Sequence, residues 1–271
     1  MHTSLLAEFA DDRDIGSREM QEDYTLCCAV EEQGNYCSEM MCVLCDGMGG
    51  HAGGEVASRV AASAFIKVLR GVSPEMPPHE ALVYAAQQAD VALQRRKLCE
   101  AAELSQMGCT LCGVWFRQGR LFYISIGDSL IYLLRDKRLY PINRIHNHRE
   151  DMRRRAMREG LDWASVSQSE SVLRYGTRIT SYLSGGGISQ ADCPAEPIEL
   201  RSGDSILLAS DGILSLTAHE IARALLPPGS GDVRQDVELL LDTVLQKKAR
   251  HQDNVSVILV RVVSPGLTVE M

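Results

Sequence analysis

The chain has 271 residues, 45% of them hydrophobic and 24% charged, with 28 basic against 36 acidic side chains and a net charge of −8. That balance is globular and excludes a disordered chain, a collagen-like repeat and a disulfide miniprotein. An aromatic content of 5% on an acidic chain argues against stacked nucleic acid and anionic membranes as partners, so an anionic substrate would need a local basic patch or bound cations.

Nine cysteines and no basic leader at the N-terminus point to free thiols in a reducing cytoplasm. Nothing approaches the roughly 18 apolar residues of a membrane span, so no membrane insertion is expected.

In chain order, Tyr24 to Val30 and Met40 to Cys45 are apolar runs between polar turns and are expected to be strands. Glu55 to Arg70 carries Val56, Val60, Ala64 and Val68 at helical spacing, and a second helix is expected from His79 to about Leu104. Cys109 to Phe116, Arg120 to Ile126 and Leu130 to Leu134 suggest an antiparallel meander broken at Gln118-Gly119 and Gly127-Asp128-Ser129. The segment from Asn143 to Ser171 is polar, and its centre, Arg149 to Glu159, is helical in propensity and rich in arginine. It is either a solvated helix or a flap that guides substrate. Strands resume near Ile198 and over Ser205 to Ala209; helices are expected over Ala218 to Leu226 and Asp232 to Lys248, then a last strand over Val255 to Val263 and a loose tail after residue 264. The order is not an alternation of strand and helix, so packed antiparallel sheets with helices outside are expected.

Cys42 with Cys45, and Cys109 with Cys112, form two C-x-x-C pairs that could suggest a four-thiolate zinc site. Both lie in strand-like runs, where residues three apart point to opposite faces, so buried strand cysteines are the better reading.

Acids recur at strand ends: Asp46-Gly47, Asp128 in Gly127-Asp128-Ser129, Asp211-Gly212 and Asp253-Asn254. Carboxylates placed together by a sheet repel one another unless a cation neutralises them, and oxygen-only donors select hard ions such as Mg²⁺ or Mn²⁺. One Asp-Gly pair usually marks a turn only. The run Asp46-Gly47-Met48-Gly49-Gly50-His51 is different, since at average residue usage it arises by chance on the order of once in ten thousand chains of this size.

With Arg18 to Asp23, Glu55, Gly108-Cys109-Thr110 and Ser210-Asp211-Gly212 in the same order, the chain resembles the metal-dependent serine/threonine protein phosphatases of the PPM, or protein phosphatase 2C, type. Met48 makes it similar to the bacterial branch. The resemblance implies an α+β fold, a four-layer α-β-β-α sandwich of two antiparallel sheets flanked by helices, as one domain over 1–271 with a flap at about 143–175. It implies two Mn²⁺ or Mg²⁺ ions and a third, weaker one. Asp46 would bridge the pair, Asp211 and Asp253 would hold the first ion, Glu22 and the Gly47 carbonyl would help hold the second, and Asp128 would join Asp211 at the third. Asp23 would orient the attacking water and Arg18 would grip the phosphate. Phosphorylated proteins, substrates of a cognate serine/threonine kinase, are the implied partners of an expected monomer.

Departures from the pattern are Leu130, where an arginine often follows, and Met48, which cannot protonate the leaving oxygen. His51 is then a candidate acid or a structural histidine. Ser184 to Gly187 is either a phosphate cradle or a plain loop. A metal-free phosphoprotein-binding regulator and a phosphatase of small esters are the rival readings.

Overall fold

The computed structural model describes residues 5–34, 36–48, 53–99, 106–226 and 232–264, without the side chains of 31–33. His51 and the tail from 265 lie outside the described residues.

The strands are β1 (Leu6–Asp14), β2 (Tyr24–Gln33), β3 (Tyr36–Cys45), β4 (Gly47–Met48), β5 (Gly108–Cys109), β6 (Leu111–Arg117), β7 (Arg120–Ile126), β8 (Leu130–Arg135), β9 (Arg138–Pro141), β10 (Ile198–Glu199), β11 (Ser205–Ala209) and β12 (Val255–Val263). The helices are α1 (Gly53–Arg70), α2 (Pro78–Cys99), α3 (His148–Glu159), α4 (Trp163–Ser167), α5 (Glu170–Tyr175), α6 (Ala218–Ala224) and α7 (Val233–Gln246), with a 3₁₀ turn over Asp211–Ser215. The second helix is described only to Cys99, because residues 100–105 lie outside the described set.

Strands β2, β3, β6, β7 and β10 form one half of a curled antiparallel sheet, and β1, β12, β11, β8 and β9 form the other. The halves join at one pairing, Ala7 with Cys37. They therefore pack as the two inner layers of a sandwich, which is the expected α-β-β-α architecture.

Side-chain alternation along each strand builds the layers. On β3, Met41, Val43 and Cys45 pack with α1 and α2, whereas Met40, Cys42 and Leu44 face the opposite half. On β12, Val255, Val257 and Leu259 meet α6 and α7, and Ile258, Val260 and Val262 fill the space between the halves. Both faces being buried explains why these strands read as continuous apolar runs. Each fully buried large side chain, such as Phe65, Phe116 or Leu44, contributes about 1.5–3 kcal/mol. The C-x-x-C cysteines are free thiols, with Cys45 on the helix face and Cys42 between the sheets, so each motif is split as strand geometry requires.

The register places five acids at one end. Tyr24 pairs with Cys45, Leu44 with Cys112, Leu111 with Ile126, Leu130 with Ala209 and Ala209 with Val257. One or two residues beyond these pairs stand Asp23, Asp46, Asp128 and Asp211, and Asp253 stands two residues before Val255, where β12 begins. A rigid sheet thus presents all five along a single edge.

Candidate metal centre

Each acid is fixed by its neighbours in the backbone. The Asp46 N–H donates to Thr110 Oγ1 at 2.9 Å, and the Asp46 carbonyl accepts from Thr110 N at 2.8 Å. Gly47 donates to the Glu22 carbonyl at 3.2 Å; a Cβ there would lie 2.2 Å from the Gly54 carbonyl oxygen and 2.5 Å from that of Glu22, so only glycine permits the approach. Asp23, 2% exposed, accepts from Ser210 Oγ at 2.7 Å, and Ser210 Oγ in turn accepts from Ser256 N at 2.9 Å.

Asn254 anchors the loop that bears Arg18 and Glu22. Its Oδ1 accepts from Glu22 N at 2.8 Å, while its Nδ2 donates to the carbonyls of Ile15 at 2.9 Å and Met20 at 3.0 Å. Arg18 donates through Nη2 to Asp253 Oδ2 at 2.5 Å, and its side chain remains 56% exposed.

The electrostatics are unbalanced: Glu22, Asp23, Asp46, Asp128, Asp211 and Asp253 lie close together, and Arg18 is the cation that acts on Glu22, Asp211 and Asp253. Burial, reinforced by Asp23, Asp211, Asp128 and Asp253, pushes the Asp46 carboxyl well above its ordinary range. Burial followed by the charge of Asp211 raises Asp128 to about 7. Burial raises Asp23 to about 6 against its serine hydrogen bonds. Glu22 and Asp211 also rise, burial being the first cause in each and Arg18 pulling the other way.

Two oxygens decide whether metal suits this place. Among the described residues, Glu22 Oε1 and Asp128 Oδ1 are buried with no hydrogen-bond partner, an arrangement that costs stability unless something else satisfies them. Mutually repelling hard oxygen donors with unsatisfied lone pairs fit a divalent cation. Among the described residues no three acidic, histidine or cysteine side chains close around one point.

The sequence motifs included Ser210 and Asn254 but assigned them no role, whereas the structure shows them holding Asp23 and the Glu22 loop. The Ser184–Gly187 loop is no open cradle, because the N–H groups of Ser184, Gly185 and Gly187 donate to the buried Asp90 carboxylate at 2.8, 2.6 and 2.8 Å. Leu130 is an apolar core residue under α6 and α7. Along α3, Arg153 donates twice to Glu150 at 2.7 Å, Arg154 to Asp151 at 2.8 Å and Arg155 to Glu159 at 2.9 Å. The basic segment is thus largely neutralised within its own helix, which favours the solvated-helix reading.

An oxygen-rich acidic cluster on one edge of a four-layer α-β-β-α sandwich defines a class of hard-cation proteins. Within that class, the sequence profile of protein phosphatase 2C matches residues 13–252, and the chain belongs to the protein phosphatase 2C family. The serine/threonine protein phosphatase PstP of Mycobacterium tuberculosis is 29% identical over 250 residues, which are 90% of this chain and 44% of that protein. The chain therefore spans less than half of that relative's length. The serine/threonine phosphatase stp of Listeria welshimeri is 22% identical over 176 residues, 64% of this chain and 66% of that protein. The crystal structure of PstP from M. tuberculosis has a TM-score of 0.75 at 28% identity, covering 94% of this chain and 98% of that one. The PstP catalytic domain in complex with two manganese ions gives 0.74 at 27% identity, over 96% and 100% of the respective chains.

Proposed function

We propose that the chain hydrolyses phosphoserine and phosphothreonine in proteins, with two Mn²⁺ or Mg²⁺ ions as cofactors and no phosphoenzyme. The observation that carries the reading is the buried carboxylate edge, on which one oxygen each of Glu22 and Asp128 has no hydrogen-bond partner among the described residues. Asp46, Asp211, Asp253, Glu22 and the Gly47 carbonyl would hold the pair of ions, and Asp128 with Asp211 a third. When bound, the ions would lower the pKa of water far enough to supply a nucleophile at neutral pH and would neutralise the phosphate.

The chain's own groups do the rest. Asp23, held by Ser210, orients the attacking water as an acceptor. Arg18, anchored by Asp253 yet exposed, offers its remaining N–H groups to the non-bridging phosphate oxygens as charge-assisted donors. Met48 cannot give a proton to the leaving alcohol, so that proton comes from another group.

Phosphoproteins opposed to a serine/threonine kinase in a bacterial cytoplasm are the substrates this reading implies. The internally paired charges of α3 favour a second reading, in which small phosphate esters are handled as well as proteins. Mn²⁺-dependent phosphate release from a phosphothreonine peptide, with and without chelator and beside p-nitrophenyl phosphate, tests both. No release from either ester would leave the inactive regulator.

A further inference from the structure

The Gly127-Asp128-Ser129 turn between β7 and β8 carries a carboxylate of the cluster, and its backbone does not stand by itself. Gly127 has φ of +107°, and a Cβ there would lie 2.6 Å from Thr110 Cγ2. Such a turn needs bonds from outside to define where the next residue points.

The segment leading into α3 supplies them. His146 is 2% exposed; its N–H donates to the Gly127 carbonyl at 2.7 Å, and its Nδ1 accepts from the Gly127 N–H at 3.1 Å. One residue thus satisfies both backbone groups of the glycine. Because Nδ1 accepts, the ring is neutral with its proton on Nε2. Burial, and Arg154 after it, hold the His146 pKa below its ordinary value, in keeping with that tautomer.

Asn143 grips the other side of the turn. Its Nδ2 donates to the Ser129 carbonyl at 2.9 Å and to Ser125 Oγ at 2.8 Å, and its Oδ1 accepts from Ile131 N at 2.8 Å. Ser129 Oγ is 2.7 Å from Thr110 Oγ1, the hydroxyl that bonds Asp46 N. Beyond the turn, the His146 carbonyl accepts from Thr180 N at 2.9 Å, and Asn147 caps α3 through Glu150 N. A continuous hydrogen-bonded path therefore runs from the base of α3 to two acids of the cluster.

We propose that His146 is a positioning residue that sets the Gly127–Asp128 turn, so that the Asp128 carboxylate is aimed by the root of the α3–α5 segment. The proposal rests on the phosphatase reading for the role of Asp128 as a ligand. Partners behind a ligand commonly govern metal affinity by 10- to 100-fold, roughly.

The test counts bound Mn²⁺ by equilibrium dialysis from micromolar to millimolar metal, with p-nitrophenyl phosphate turnover alongside. Asp128→Asn is the benchmark and should weaken only the loosest class of bound ion. His146→Leu keeps bulk but removes the acceptor, and should weaken that same class about tenfold while sparing the tighter ions, with kcat falling more than KM rises. His146→Asn places an acceptor where Nδ1 stood and should recover binding to within about threefold of the parent. Should the leucine variant fail to fold, His146→Gln, which moves the acceptor toward Nε2, takes its place with the same expected loss. If Asp128→Asn leaves Mn²⁺ binding unchanged, the ligand reading of Asp128 fails. If Asp128→Asn weakens the loosest ion but the leucine and glutamine variants bind as the parent does, or if the asparagine variant is no better than they are, the positioning role of His146 is overturned.

Discussion

The carboxylate edge and helix α3 contain similar numbers of charged side chains and treat them in opposite ways. On α3 the arginines find carboxylates three or four residues away on an exposed surface, as with Arg153 and Glu150 or Arg155 and Glu159. Such pairs contribute little and ask for nothing further. At the sheet edge the acids are drawn from β2, β3, β7, β11 and β12 onto one another, and burial, reinforced by those neighbours, pushes the Asp46 carboxyl well above its ordinary range. Charge that is buried, of one sign and unsatisfied is costly to build, so its presence marks a ligand. Charge that is paired locally marks a solvated face.

The sharpest way to break that contrast is to remove single charges at the edge. Asp46→Asn, Asp211→Asn and Asp253→Asn should each lower kcat by about three orders of magnitude or more, with far-ultraviolet circular dichroism unchanged, because each deletes an anion and almost no volume. Parental rates in any of the three would sink the dinuclear reading.

Metal removal probes the same edge without turnover. A group whose folded pKa is raised stabilises the fold below its unfolded pKa and loses that contribution as pH rises through the folded value. For Asp23, raised to about 6, and Asp128, raised to about 7, the loss runs from roughly pH 4 upward and is complete by about pH 8. Chelated protein should therefore melt several degrees lower at pH 8 than at pH 5.5, a difference on the order of a few kcal/mol. Mn²⁺ should close the gap at pH 8. Asp128→Asn should melt higher than the parent in chelator and lower in Mn²⁺, and scanning calorimetry in the two buffers measures both.

These expectations also show what a sequence can carry. Asp46, Asp128 and Asp211 were legible because each follows an apolar run and stands beside a glycine, as Asp46-Gly47 does after Met40 to Cys45, and Asp253 because it stands just before the last apolar run. The layers followed from an order of elements that does not alternate strand and helix, together with the family resemblance. Strand β1 was not legible, since Asp11, Asp12, Arg13 and Asp14 read as a polar segment, yet their backbones complete the ladder to Ile258, Val257, Ser256 and Val255. Nor were the holding residues: Asn254 reaches Glu22 across 232 positions, and Asp90 fills the Ser184–Gly187 loop from the middle of α2. A hydrogen bond between distant residues leaves no periodicity to read.

A smaller effect is expected at Arg18, where the two regions meet. Arg18→Ala removes phosphate donors and should raise KM for a phosphopeptide about tenfold or more. It also frees Asp253, whose Oδ2 it now occupies, so the Mn²⁺ concentration for half-maximal activity should hold or fall. Equal upward shifts in both quantities would make Arg18 a structural residue.

The smallest effect belongs to α3, and it is the one that tests the other side of the contrast. Five arginines between 149 and 158 could steer an acidic phosphoprotein toward the cluster through long-range attraction. Steering depends on net field, and Arg153, Arg154 and Arg155 each face a carboxylate within 2.9 Å. At physiological salt the field of a closed pair decays within about 8 Å. Arg149 and Arg158 have no carboxylate partner among the described residues, so they carry whatever attraction the segment exerts. Replacing Arg153, Arg154 and Arg155 with serine should change kcat/KM for an acidic phosphopeptide by no more than about twofold and leave p-nitrophenyl phosphate hydrolysis unchanged, whereas Arg149→Ser with Arg158→Ser should cost the peptide severalfold, more at low salt than at high. A larger loss from the paired trio than from the unpaired two would mean that local pairing does not silence a charge on this surface, and would restore α3 as a substrate-guiding flap.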